Sequence, residues 1–212
     1  MVVDTLQQHR LRRGDNPQVA VQDGTVRLEG QVRSLWEKNE TIKLARQVEG
    51  VRTLVSALTI IRAESDKRIS DQLTERVQHY ARYGMFDDLS STVRNGVVRF
   101  EGLVTSPDKA EDLEDLASRI QGVQAIENDI KPFPVSRSDD ALRFELASRI
   151  FAYPDLAIYA GRANSPIHII VMNGRVTLKG FVASAFVKQQ VEFIARSVEG
   201  IFKFDSQLQV VR

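Results

Sequence analysis

The chain has 212 residues, with 29 Lys and Arg against 28 Asp and Glu, and its formal charge of +1 excludes a global electrostatic pull toward nucleic acid or an anionic membrane. It contains no cysteine, so disulfides, thiolate nucleophiles and cysteine-ligated metals are excluded and the redox compartment is left open. No apolar run approaches the ~20 residues that cross a bilayer, and the opening MVVDTLQQHR lacks the basic-then-apolar order of a secretory leader, which implies either a cytosolic protein or a sequence that starts after a removed leader.

Along the chain, Val3, Leu6 and Leu11 are irregularly spaced, and a leading helix there is short or truncated. Alternation at Val19, Val21, Val26 and Leu28 predicts two half-buried strands, and Asp23-Gly24 between them supplies the positive φ angles of a tight hairpin. Ser34-Leu35-Trp36-Glu37 is a capping box, so a helix begins there with Thr41, Leu44, Ala45 and Val48 as its apolar stripe. Gly50 stands where a left-handed C-cap belongs, with Val51 placed to pack back on the last turn, and a strand follows over Leu54 to Ile60. The charged stretch RAESDKR (62–68) reads as a hinge.

The same order then recurs. Ile69, Leu73 and Val77 line a leading helix; VRNGVVRFEGLV (93–104) is a hairpin; Ser106-Pro107 opens a helix with Leu113, Leu116, Ala117 and Ile120; a strand spans Ile126 to Ile130. KPFPVSRSDD (131–140), with two prolines, predicts a stiff extended connection. In the third copy Leu142, Leu146 and Ile150 line the leading helix, Asp139-Asp140 puts negative charge at its start, VMNGRVTLKGFV (171–182) is the hairpin, and Val191, Ile194, Ala195 and Val198 line the next helix before a strand over Phe204 to Val210. The turn glycines Gly24, Gly96 and Gly174 are each followed at fixed spacing by Gly30, Gly102 and Gly180, then by Gly50, Gly122 and Gly200. Gly30, Gly102 and Gly180 are expected to admit a close backbone approach or to mark a bulge.

The expected fold class is therefore α+β: three tandem α-β-β-α-β units over 1–63, 66–133 and 138–212. Each unit packs two helices on one face of a three-stranded mixed sheet, the second helix making the last two strands parallel. Units this small have little core each, so packing between neighbours adds stability.

Catalytic constellations are absent from the pattern. His9, His79 and His168 fall at different places in the repeat and outside any ligand spacing, so no metal is expected. The acidic run DKAEDLEDLASR (108–119) lacks the alternating oxygen ligands and central glycine of a calcium loop and reads as a solvated helix face. The glycines lie within hairpins rather than feeding a helix N-terminus, which argues against a phosphate cradle, and no Gly-x-x-Gly clamp or aromatic-bearing strand motif points to RNA. The middle copy is net acidic and the outer two net basic. The candidate contact residues are aromatics among arginines near the leading helices: Tyr80, Tyr83 and Phe86 in the second copy, then Arg149, Phe151, Tyr153, Tyr159 and Arg162 in the third. Either these rings close the core at the ends of helices or they present an interface. Trp36 carries the same two alternatives.

The Val-x-Asn-Gly-x-Val-x-Leu-x-Gly hairpin, the alanine-bearing helix and the closing Gly-Val strand resemble the BON domain, in three copies over nearly the whole chain. That resemblance implies a bacterial envelope protein without enzymatic activity or cofactor, periplasmic with the cytoplasm as the alternative. It also implies partners that are phospholipid surfaces or envelope proteins, with a homo-oligomer among the options and nucleic acid excluded. The alternative it leaves open is a self-assembling or protein-binding stress-protection module without lipid contact. The family has no invariant catalytic residue to carry over.

Overall fold

The computed structural model describes residues 17–62, 64–160 and 165–211. The short leading helix expected around Val3, Leu6 and Leu11 lies outside them. The first repeat holds β1 (Gln18–Gln22), β2 (Thr25–Val32), α1 (Leu35–Arg46) and β3 (Thr53–Ile60). The second holds α2 (Asp66–Gln78), β4 (Asp88–Arg94), β5 (Val97–Val104), α3 (Asp108–Ser118) and β6 (Ala125–Pro132). The third holds α4 (Arg137–Phe151), α5 (Pro154–Ala160), β7 (Ile167–Met172), β8 (Arg175–Val182), α6 (Ala185–Arg196) and β9 (Lys203–Val210). Among the described residues the fold is α+β, with six helices and three mixed three-stranded sheets ordered β1-β2-β3, β4-β5-β6 and β7-β8-β9.

The described chain gathers into two compact units. One takes the residues up to Thr74 with Ser91–Phe100 and Asp112–Asn128; the other takes Glu75–Ser90, Glu101–Glu111 and everything from Asp129. Each unit thus contains one outer repeat and a share of the middle one.

In the first unit, β2 runs antiparallel to β1 and parallel to β3, because α1 carries the chain back to the starting end before β3 begins. The inward face of β2 alternates with its exposed one, and Val26, Leu28 and Val32 join Leu44 and Ala45 of α1 with Leu58 and Ile60 of β3 in one core. Ser34 Oγ accepts the Glu37 amide at 3.2 Å, while the Glu37 carboxylate returns to the Arg33 amide at 2.8 Å, one residue before the cap. The helix end differs from the sequence expectation. α1 stops at Arg46, where the Gln47 amide tightens onto the Leu44 carbonyl at 3.2 Å, and Gly50 closes a separate turn in which the Val51 amide reaches the Val48 carbonyl at 3.2 Å. Gly50 does have φ of 87°, as the third position of such a turn requires, but it is not a helix cap.

In the second unit the β7–β8 hairpin turns through Asn173 (φ 53°) and Gly174 (φ 69°), both left-handed, as a two-residue turn matched to strand twist demands. β8 pairs in parallel with β9. Leu142, Leu146 and Ile150 of α4 share a core with Ile167, Ile169 and Val171 of β7, Val176, Leu178 and Val182 of β8, and Val191, Ile194 and Ala195 of α6. A Cβ on Gly180 would lie 2.0 Å from the Pro166 carbonyl oxygen, which also accepts the Phe181 amide at 2.8 Å, so only glycine fits that close approach. Two features depart from expectation. The proline-rich connection is shorter, since Lys131 and Pro132 extend β6 and Phe133 turns inward beneath the Arg143 guanidinium, 4.5 Å from its ring centroid. The additional helix α5, started by Pro154 in its first turn, inserts Leu156 and Tyr159 into the core.

Candidate functional site

The eight candidate contact residues separate by burial. Tyr83 is buried, its ring centroid 5.3 Å from that of His168, and its hydroxyl is pushed up to about 12, first by burial and then by Asp87 and Asp88. Tyr159 is buried too, and its hydroxyl accepts the Ala183 amide at 3.2 Å. Phe86 is half-buried, edge-on to Phe144 with centroids 5.5 Å apart, and Phe151 packs against the core of the third repeat. Tyr80 is half-buried at the end of α2, its amide on the Val77 carbonyl at 3.1 Å. Arg162 lies outside the described residues. Arg149 and Tyr153 remain on the surface, with the Arg149 guanidinium 2.5 Å from Glu145. Together they line a groove of about 390 Å³ with Ala152 at the end of α4 and Phe193, Ile194 and Ser197 at the end of α6.

Sequence reasoning missed the exposed phenylalanines. Among the described residues Phe144, Phe181, Phe186, Phe193 and Phe202 are the exposed ones, and all five lie in the third repeat. The signal was present in the repeat alignment. The positions matching Phe186 are Trp36 and Asp108, and those matching Phe202 are Arg52 and Gln124, all except Trp36 polar. Phe186 and Phe193 are also seven residues apart on α6, a second apolar stripe beside the buried one formed by Val191, Ile194 and Ala195.

Two carboxylates perform one structural task in the two units. The Asp66 oxygens accept the Asn95 and Gly96 amides at 2.7 and 2.8 Å, and the Asp139 oxygens accept those of Asn173 and Gly174 at 2.8 and 2.9 Å. The first turn of a leading helix thereby clamps its own hairpin. The Gly96 and Asn95 amides hold the Asp66 carboxyl below its ordinary value. For Asp139 burial acts upward, and the Gly174 and Asn173 amides with Ser136 and Arg143 outweigh it.

Contacts between successive repeats are specific within each unit. In the first, the Gly122 amide donates to the Arg33 carbonyl at 3.1 Å, the Gln124 side-chain amide donates to the Ile60 carbonyl at 3.3 Å, and the Arg119 guanidinium lies 4.4 Å over the Trp36 ring. In the second, the Ile169 amide of β7 donates to the Met85 carbonyl at 2.7 Å, His168 Nδ1 lies 2.8 Å from the Asp87 carbonyl, and Lys179 pairs with Asp88 at 2.7 Å. Behind them the buried Asp87 carboxylate takes Lys109 Nζ at 2.7 Å and the Gly84 and Thr105 amides at 2.8 Å. Burial pushes the His168 imidazole down, against the raising effect of the Asp87 carbonyl and the Asp88 and Asp87 charges.

Among the described residues no group of three or more His, Asp or Glu is placed to hold a metal ion, and no helix is long and apolar enough to cross a membrane. His79 is exposed, with Nδ1 2.7 Å from the Glu75 carbonyl.

Three small helix-and-sheet repeats, punctuated by left-handed turns and joined by residue-specific contacts, define a tandem-domain protein. A model of the BON domain matches residues 1–62, 65–131 and 138–212, and the chain belongs to the BON domain family. Among curated proteins none matches the sequence. Solved structures similar to it include the C-terminal domain of CdsD, a structural protein of the type III secretion system of Chlamydia trachomatis, at 14% identity and a TM-score of 0.28, covering 100% of this chain and 96% of that one. The PrgH periplasmic domain follows at 13% identity and a TM-score of 0.22, covering 98% of this chain and 100% of that one.

Proposed function

We propose that the protein is a non-enzymatic binding scaffold of the bacterial cell envelope, periplasmic, whose third repeat holds an anionic phospholipid surface. In this reading 1–63, 66–133 and 138–212 are the structural units, each with two helices on one face of its sheet, and the third is the contact-bearing one. The observation that carries the reading is the confinement of exposed phenylalanine to that repeat among the described residues, with Phe193 lining one groove with Arg149 and Tyr153. Aromatic rings with an arginine suit the boundary between headgroups and acyl chains, and each basic side chain near an anionic leaflet adds about 1 kcal/mol. Membership of the BON domain family supports the envelope location and the absence of chemistry.

Co-sedimentation with anionic and neutral vesicles at low and physiological salt tests it. The protein is expected to pellet with anionic vesicles, less so at high salt, and Arg149→Glu with Tyr153→Ser is expected to abolish this. Equal binding to both vesicle types, or to neither, overturns the reading. A protein-binding module without lipid contact is the second reading, favoured by the same groove, since tyrosine and arginine beside an apolar floor also make a protein hot spot. Capture of defined proteins from envelope extract, lost in the same double variant, would support it if vesicles fail.

A further inference from the structure

The first unit contains a contact whose receiving half exists a second time in the third repeat. At the end of the first repeat where β2 and β3 finish, two backbone carbonyls and a ring are covered by the second repeat: Arg33 O takes the Gly122 amide, Ile60 O takes the Gln124 side chain, and Trp36 takes Arg119. The equivalence of the repeats is fixed by their backbone bonds. Ile61 N to Val32 O in the first corresponds to Val211 N to Val182 O in the third, and Arg52 N to Gly24 O corresponds to Gln124 N to Gly96 O and Phe202 N to Gly174 O. On that alignment the receiving residues Arg33, Trp36 and Ile60 become Ala183, Phe186 and Val210. Phe186 is 71% exposed and Val210 40% exposed. In the second repeat the same position is the charged Asp108, paired with Arg82, so that repeat does not present this face.

The docking half also recurs. In the second repeat it is the Gly122 turn with Gln124 and Arg119. In the first repeat it is the Gly50 turn, which lies in open space, with Arg52 at the position of Gln124 and Arg46 beside the position of Arg119, both exposed. In the third repeat the Gln124 position is Phe202, which has no donor to offer.

We propose that the chain assembles head to tail: the Ala183, Phe186 and Val210 face of one copy receives the Gly50 turn of a second copy, with Arg52 or Arg46 over the Phe186 ring. The chemistry is that of the internal contact, with amide and guanidinium donors to the two carbonyls and a cation on an aromatic face. This proposal does not rest on lipid binding. The contact is small, so assembly is weak and grows with concentration, and because the two surfaces differ it propagates rather than stopping at a symmetric dimer.

Sedimentation velocity on the full chain without lipid, over rising concentration, tests it. The native protein is expected to pass from one chain to multiples, whereas Phe186→Glu and Arg52→Glu each stay at the mass of one chain. An equimolar mixture of the two variants, each with one intact surface, is expected to form two-chain species and nothing larger, which also shows that both fold. A native protein that stays at one chain, a variant that assembles like the native protein, or a mixture that stays at one chain overturns the proposal.

Discussion

The contact between the first and second repeats and the contact between the second and third use the same building block in opposite ways. In the first unit, the receiving groups are two strand-end carbonyls, met by a turn amide and a side-chain amide, and one cation covers one ring. In the second unit, one backbone bond from Ile169 to Met85 is joined by a polar side-chain network, with the buried Asp87 and Lys109 beneath a partly buried imidazole and the Lys179–Asp88 pair at the rim. Carbonyl acceptors at strand ends depend on the fold alone and are reproduced wherever the fold recurs. A buried polar network depends on particular residues, and it is costly to disturb because every member loses a partner it cannot replace with water.

That difference predicts an ordered series of effects. Asp87→Ala, which strands the buried Lys109 and takes their acceptor from the part-buried Gly84 and Thr105 amides, should cost about 3–5 kcal/mol in urea unfolding. Asp139→Asn, which weakens the hairpin clamp common to both units, should cost about 1–2 kcal/mol. Its acid dependence has a definite sign: a carboxyl held low in the folded state stabilises above the ordinary carboxylate pKa of about 3.9 and loses that contribution as pH falls through the folded value. A native protein whose unfolding midpoint is flat below pH 4, or equally steep in the variant, would break this assignment. Arg119→Ala should cost about 1 kcal/mol, and because Trp36 is the only tryptophan its emission should shift in the folded state. A matching shift from Lys179→Met would show that the two contacts are not independent.

The smallest effect belongs to His168. Its imidazole is held below the ordinary value, so the folded state binds its proton less readily than the unfolded chain. Its stabilising contribution is complete above about pH 6.5 and declines as pH falls toward the folded value. Urea midpoints taken between about pH 7 and pH 5 should therefore decline by an amount worth less than about 1 kcal/mol, and His168→Gln should remove that part of the slope. An unchanged slope would mean that the histidine titrates as if exposed.

Much of this was legible in the residues because it depends on local rules. The Asp-Gly and Asn-Gly hairpins, the Ser34 cap and the i, i+3, i+4 stripes each follow from steric limits or period within a few neighbouring residues. The helix α5 was not read from the sequence, because seven residues have too short a period to declare themselves. The candidate site was less accessible still. Tyr83 and Tyr153 both sit just beyond leading helices, in similar company, yet one is buried against His168 and the other lies in the open.

By itself the sequence determined three α+β repeats, where each hairpin turns, which helix faces are apolar, and membership in a family. Tertiary structure alone decided which aromatic rings are covered, that Asp66 and Asp139 reach 29 to 35 residues along the chain to hold a turn, and that successive repeats join differently. The physical reason is range. Turn and helix preferences act over a few bonds, whereas burial and pairing are set by residues that approach only after the strands have paired, and no pattern within a single repeat encodes what its neighbour will place against it.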